Sequence, residues 1–278
     1  MKQERRELIQ KLEVESRDVR RHIIKVCGQH GGHMGGALSS ADMITALYLH
    51  VLNVDPANPK WEERDNFILS RGHGGIGLYA ALAKRGFFPI EQIYSYEQLG
   101  SKFGTHPSLK IPGVDLSTGS LGHGLSVGVG MAIAGKRDRK SYKVYVMLGD
   151  GELQEGSIWE AAMSASFYEL DNLVAIVDRN RFQVFDATEK MMAIEPLVDK
   201  WKSFGWAVKR IDGNDMEQVV DTLEAIPFEV KKPSAIIADT VKGKGISFLE
   251  GKALSHYWEG PPPEEQVKQA LEELGGFE

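Results

Sequence analysis

Asp150 stands between two glycines, and Asn180 closes an Asp-Arg-Asn run further along the chain. Each follows an apolar stretch that reads as a β-strand, KVYVML over 143–148 and LVAIVD over 173–178. Adjacent parallel strands lie about 4.8 Å apart, so an acid and an amide at their ends would meet. A carboxylate oxygen, an amide oxygen and a backbone carbonyl suit a hard cation such as Mg²⁺ or Ca²⁺. Magnesium held by few protein ligands takes phosphate oxygens for the rest. The glycines beside Asp150 let a phosphate approach the backbone, and the helix that starts soon after adds N–H donors. An Asp between glycines is by itself more often a turn residue. The specific signal is the constellation, GDG and then an Asn, with a strand before each.

Three histidines add a second kind of chemistry. His33, His73 and His106 each sit near glycine or proline at an expected element end, where a side chain can project into a cleft. A histidine titrating near neutral pH can carry protons on hydroxyl groups or donate to a phosphate. His22, His30 and His50 read as ordinary structural residues, His22 and His50 on helices with no glycine context. The segment KGKGISFLEGKALSHYWEGPPP over 242–263 places two lysines among glycines, which a solvated loop would equally explain, and then His256.

Positioning these groups requires a layered frame. Residues 3–27 and 38–52 read as amphipathic helices, the second capped by Ser39 or Ser40 and ended by Asn53 and Pro56. A helix after Gly75 and one over 121–135 follow; the second contains four internal glycines, which would permit close packing. Strand signals begin at 143 and recur at 206–211 and 234–240, with helices over 155–170 and 215–230 between them. Strand–helix–strand alternation predicts an α/β fold, a doubly wound and mostly parallel sheet flanked by helices on both faces. Ligands of such sheets bind outside the carboxyl ends of the strands, where Asp150 and Asn180 fall.

The chain has 278 residues, 42% hydrophobic and 26% charged, enough apolar content for a packed core. It reads as a single domain over 1–278, with a proline break and short charged helix over 261–278. The net charge of −6 argues against a nucleic-acid partner. No apolar run is long enough for a membrane span and the first residues lack a signal-peptide core, so a cytoplasmic protein is expected. The one cysteine, Cys27, excludes an internal disulfide and reads as a small buried hydrophobe. The 30 glycines cluster near the chemistry-bearing residues, which indicates tight turns or close backbone approach to a ligand.

GDG followed by Asn resembles the diphosphate–metal motif of thiamine-diphosphate enzymes, and GDGELQEGSIWEAAMSAS resembles the transketolase family. The likeness extends over GGHMGGALSSADMITALY, LSRGHGGIGLYAAL and KFGTHPSLKIPGVDLSTGSLGHG. It implies a thiamine-diphosphate-binding fold. It implies that Asp150, Asn180 and the backbone of Phe182 hold the metal, Mg²⁺ or in its place Ca²⁺ or Mn²⁺. It puts His33 and His106 at substrate-contacting positions and His73 beside both cofactor and substrate. Gly119, Leu121 and Gly151 fall beside the cofactor, and Glu155 at a glutamate that helps couple two active sites. His256 is the best match to a histidine on the diphosphate. The chain departs from the family at Met34, Ser120 and His123, and at Glu259 where many members carry a histidine.

The likeness covers only the N-terminal half of a full-length member. It implies one subunit of a split transketolase, which moves a two-carbon ketol unit from a ketose phosphate to an aldose. The pyrimidine-binding domain would come from a second chain, with two copies of each in the assembly. The alternatives are a deoxyxylulose-phosphate synthase-like or specialised-sugar enzyme subunit, and a non-catalytic regulatory relative. A nicotinamide-binding protein is set aside, because no GxGxxG follows a first strand.

Overall fold

The computed structural model describes residues 2–276. Met1, Phe277 and Glu278, the ends of the expected single domain, lie outside the described residues. In chain order the elements are α1 (Lys2–His30), α2 (Met34–Ser39), α3 (Ala41–Ala46), β1 (Asn66–Leu69), α4 (Gly75–Arg85), α5 (His123–Arg137), β2 (Val144–Gly149), α6 (Gly156–Phe167), β3 (Leu173–Arg179), α7 (Thr188–Met191), α8 (Leu197–Ser203), β4 (Ala207–Asp212), α9 (Met216–Glu224), β5 (Ser234–Asp239) and α10 (Glu264–Glu273). The five strands form one parallel sheet in the order β1-β2-β3-β5-β4.

Helices cover both faces, as the unbroken apolar strands require. Tyr145, Met147, Val174 and Ile176 pack into the core under α1, α3, α4, α9 and α10. Their neighbours Val144, Val146, Leu148, Ala175 and Val177 point the other way, against α5, α6 and α8. Cys27 is buried in the first core. The edge strand β4 exposes Lys209 and Arg210, which discourages pairing with another sheet. No helix among the described residues is long and apolar enough to cross a membrane.

Two expectations need correction. The sheet begins at β1, not at residue 143. NFIL is only four residues and nearly all buried, so it shows no alternation to mark it as a strand. The helix expected over 38–52 starts earlier and is interrupted: α2 stops at Ser39, and α3 runs into a π-helical turn over Leu47–Val51. Ser39 and Ser40 do not cap it. The Ser40 hydroxyl donates back to the Gly36 carbonyl at 3.0 Å, and the Ser39 hydroxyl, 3.0 Å from the same carbonyl, donates to Asp178, so neither reaches forward to the next turn.

The glycines of α5 bring that helix close to the sheet. A Cβ at Gly124 would collide with Ser70 Oγ, and one at Gly128 would stand 2.6 Å from Val146 Cγ2. Gly130, on the same helix, faces open space. Gly128→Ala is therefore expected to lower the unfolding free energy by about 1–3 kcal/mol through overpacking. Gly130→Ala is expected to leave it unchanged or raise it by about 0.5–1 kcal/mol. Denaturant unfolding of the two variants checks this, and equal effects would mean that the close approach of α5 does not matter.

Candidate functional site

Four adjacent strands end in one place. Ser70 and Arg71 follow β1, Asp150 and Gly151 follow β2, Asp178 and Asn180 end β3, and Thr240 and Lys242 follow β5. Gly149 pairs with Asp178 across β2 and β3, which sets Asp150 beside Asn180 as their strand positions require. These segments border a cleft of about 240 Å³ that is also lined by His73, Leu121, Glu155 and His256.

A buried ionic layer lies beneath the cleft. Arg71 is 2% exposed and pairs with Asp178 at 3.1 Å. The same nitrogen donates to the Gly36 carbonyl at 2.8 Å and to Ser40 Oγ at 2.5 Å. Asp178 also accepts from Ser39 Oγ at 2.7 Å, Asn180 Nδ2 at 3.0 Å and Thr240 Oγ1 at 2.5 Å. Asp150 accepts from Arg179 Nη1 at 2.9 Å and from the backbone N–H groups of Gly151 and Arg181, each at 2.7 Å. Burial pushes the Asp150 carboxyl up, and Arg179 opposes that shift. Glu152 accepts from Ser70 Oγ and, at 3.0 Å each, from the N–H groups of Gly122 and Gly149. It thereby ties the ends of β1 and β2 to the start of α5. Burial raises its carboxyl too.

The donor set fits a cation–diphosphate group. Arg71 Nε and Nη1 and Gln183 Nε2 are buried donors with no partner, and both residues line the cleft. Unpaired buried donors beside a cleft call for an anion. Lys242 is 2% exposed, and its ammonium donates to the carbonyls of Phe182 and Gln183 at 3.3 and 3.0 Å. Its partner at 3.2 Å is His256 Nδ1. Burial lowers its pKa to about 8. At Gly36 a Cβ would stand 2.5 Å from Arg71 Nη1, so only glycine leaves that donor its space. No group of three or more His, Cys, Asp or Glu converges as metal ligands among the described residues. A cation at Asp150 would thus be completed by the neutral oxygens of Asn180 and Phe182 and by phosphate, a set suited to Mg²⁺.

The histidines form a neutral cluster over the cleft. The ring of His33 lies 5.4 Å from His73, 5.1 Å from His256 and 4.6 Å from Tyr257. A backbone bridge from Gly32 to Trp258, at 2.9 and 3.1 Å, holds the two segments together. Burial is the main cause that lowers all three pKa values; His73 falls well below its ordinary value and His256 to about 3. His106 is exposed and stands against Gly119, 3.5 Å from where a Cβ would be.

The structure thus brings together Asp150, Asn180, Phe182, Gly151, Leu121, Glu155, His73 and His256 around the cleft, with His33 beside them. Glu155 is exposed at its rim. His106 and Gly119 form an adjoining wall rather than the cleft itself. His123 and Glu259 are exposed and do not line the cleft. His22, His30 and His50 bond Tyr94 Oη at 2.8 Å, the Tyr94 carbonyl at 3.0 Å and Glu224 at 2.6 Å. Arg71, Glu152, Asp178 and Lys242 escaped assignment from sequence. The signal was there for Asp178, an acid directly after the apolar run LVAIV.

Residues 18–278 match the family described as transketolase, thiamine diphosphate binding domain. The chain is 44% identical over 267 residues to an apulose-4-phosphate transketolase subunit of Phocaeicola vulgatus, covering 96% of this chain and 94% of that one. It is 44% identical over 258 residues to a 6-deoxy-6-sulfo-D-fructose transketolase subunit of a Clostridium species, covering 92% and 93%. The crystal structure of transketolase from Campylobacter jejuni superposes with a TM-score of 0.87 at 32% identity, covering 97% of this chain and 43% of that one.

The neutral histidines make acid stability a test of the cluster. Between pH 6.5 and about 3, unfolding lets His256 take up a proton that it lacks when folded, so stability falls as pH falls through that window. His256→Asn is expected to make the pH dependence of unfolding shallower in that range, measured by denaturant titrations from pH 7 to 4. An unchanged slope would mean that His256 is charged in the folded protein.

Proposed function

The chain belongs to the transketolase thiamine-diphosphate-binding domain family, and from that premise we propose that it is the diphosphate-binding subunit of a two-subunit transketolase. The observation that carries this reading is one of extent. The chain matches a transketolase subunit nearly end to end, yet spans 43% of the chain of the Campylobacter jejuni transketolase. We read the chain as one cofactor-binding domain, working in the cytoplasm.

Thiamine diphosphate, when bound, supplies the carbon nucleophile that breaks and makes a carbon–carbon bond beside a carbonyl. The residues of this chain hold and orient it. Asp150, Asn180 and the Phe182 carbonyl would hold Mg²⁺. Arg71, Lys242, His73 and His256 would hold the diphosphate, with Gly119 and Gly151 leaving its approach to the backbone unobstructed by a side chain. Leu121, 36% exposed in the isolated chain, gives the cofactor ring an apolar contact. His33, His73 and His106 bind sugar hydroxyls. Neutral imidazoles can do this as donor on one nitrogen and acceptor on the other, and so pass a proton between substrate oxygens. The substrates are a ketose phosphate and an aldose. The second chain brings the pyrimidine-side acid and the rest of the sugar-phosphate site, with two copies of each chain in the assembly and Glu155 near the line between active sites.

Asp150→Asn is expected to weaken thiamine diphosphate binding on the order of tenfold to a hundredfold in Mg²⁺, while circular dichroism reports an unchanged fold. EDTA should do the same to the unaltered chain. Calorimetry measures both; tight binding without a divalent ion would sink the metal assignment. Alone, the chain should show no ketol transfer, and the second subunit should restore it. Turnover by this chain by itself would overturn the split-enzyme reading.

A further inference from the structure

Glu97 stands where the site is open. It follows Tyr96, whose ring lies 3.1 Å from the place of a Cβ on Gly32, next to His33. Its carboxylate accepts a hydrogen bond from Thr105 Oγ1, next to His106. Its backbone has φ of 56°, in the left-handed region that a glutamate rarely adopts. The N–H that it donates to the Phe103 carbonyl at 2.8 Å holds it there. A conformation of this kind persists only where its surroundings impose it, and such residues gather at functional sites. The result is an exposed carboxylate bonded to the neighbour of His106 and close enough to His33 to act on its charge.

Its charge reaches the cluster. Glu97 favours the protonated form of His33, against the burial that dominates there. Lys102, the nearby cation on the same loop, is turned onto the rings of Phe88 and Phe103, 5.4 and 5.2 Å from their centroids. This wall of the substrate funnel is therefore acidic, while the cations Arg71 and Lys242 sit at the diphosphate end.

We propose that Glu97 is a specificity-determining residue: its carboxylate accepts a hydroxyl of the sugar chain and keeps the anionic end of the substrate off this wall. An ionised carboxylate is an acceptor only, so it suits a hydroxyl and repels a phosphate. The proposal rests on the transketolase reading. It adds that the anionic group of the substrate is gripped elsewhere, on the side that the second subunit completes.

The test uses the reconstituted two-subunit complex with thiamine diphosphate and Mg²⁺, carrying Glu97→Gln or Glu97→Arg. The kcat/KM is measured for ribose against ribose 5-phosphate and erythrose against erythrose 4-phosphate as acceptors. The preference for the phosphorylated member should rise at least about tenfold in Glu97→Arg, and less in Glu97→Gln. Use of the plain aldoses should fall, and affinity for thiamine diphosphate should stay unchanged. An unchanged preference, or an equal fall for both members of each pair, would overturn the proposal. A wild-type complex that binds the cofactor but transfers no ketol unit would instead overturn the transketolase reading. The placement of Glu97 is then still tested by the NMR titration of His33 in the isolated chain: Glu97→Gln should lower its pKa, and no change would refute the assignment of this charge to the funnel wall.

Discussion

The Arg71–Asp178 ion pair is the joint on which the site turns. Both partners are at most 2% exposed, and between them they bond the end of β1, the end of β3, the loop after β5 and the helix α2. An ion pair so deeply buried contributes little net stability, because desolvating two charges offsets their attraction. Removing one partner is another matter, since it leaves a charge uncompensated in a dry interior. The pair is thus better at fixing an arrangement than at strengthening it. Three strand ends and α2 must come to one place for it to be satisfied at all, and that place is the floor of the cleft.

The same pair is left incomplete in a useful way. Only one terminal nitrogen of Arg71 is engaged within the protein; Nε and Nη1 are buried without partners. Lys242 is held by two carbonyls rather than by a carboxylate, and burial has already lowered its pKa. The chain has therefore desolvated these donors in advance without saturating them: Arg71 keeps two free donor nitrogens beside its ion pair, and Lys242 has only carbonyls and a histidine. A diphosphate that enters meets donors already oriented and already stripped of water, which is the condition for binding an anion without reorganising the site. The glycines serve this arrangement at definite points. Gly36 leaves room for Arg71 Nη1, and Gly124 brings the start of α5 against Ser70, within reach of the Glu152 carboxylate.

Much of this was legible before any coordinates, for a physical reason. Asp150 and Asn180 each end an apolar strand, and a parallel sheet leaves strand ends little freedom of place; the register of Gly149 with Asp178 follows. The unalternating apolar runs likewise implied helices on both faces. What stayed hidden depended on contacts between segments distant in sequence. Lys242 in KGKG looks like a solvated lysine until the Phe182 carbonyl and His256 are brought around it. Arg71 reads as one residue of a turn, because β1 before it is too short and too buried to show a pattern. The serines at 39 and 40 mimicked a cap, and only the nearby Gly36 carbonyl and Asp178 reveal that they bond elsewhere.

On the proposed reading, the distribution of groups over the site suits a reaction centre divided between two chains. The groups proposed to hold a cation and diphosphate grow from the buried ends of the sheet. The groups proposed to meet the sugar come from loops: Gly32–His33, Thr105–His106, and the bridge-held segment at His256. Loops can be rebuilt without disturbing the sheet. A cofactor site on strand ends and a substrate wall on loops let one scaffold keep its chemistry while the accepted sugar changes. Glu97 belongs to that freedom on the reading proposed above, a loop position at φ of 56° whose charge is opposite to that of Arg71 and Lys242.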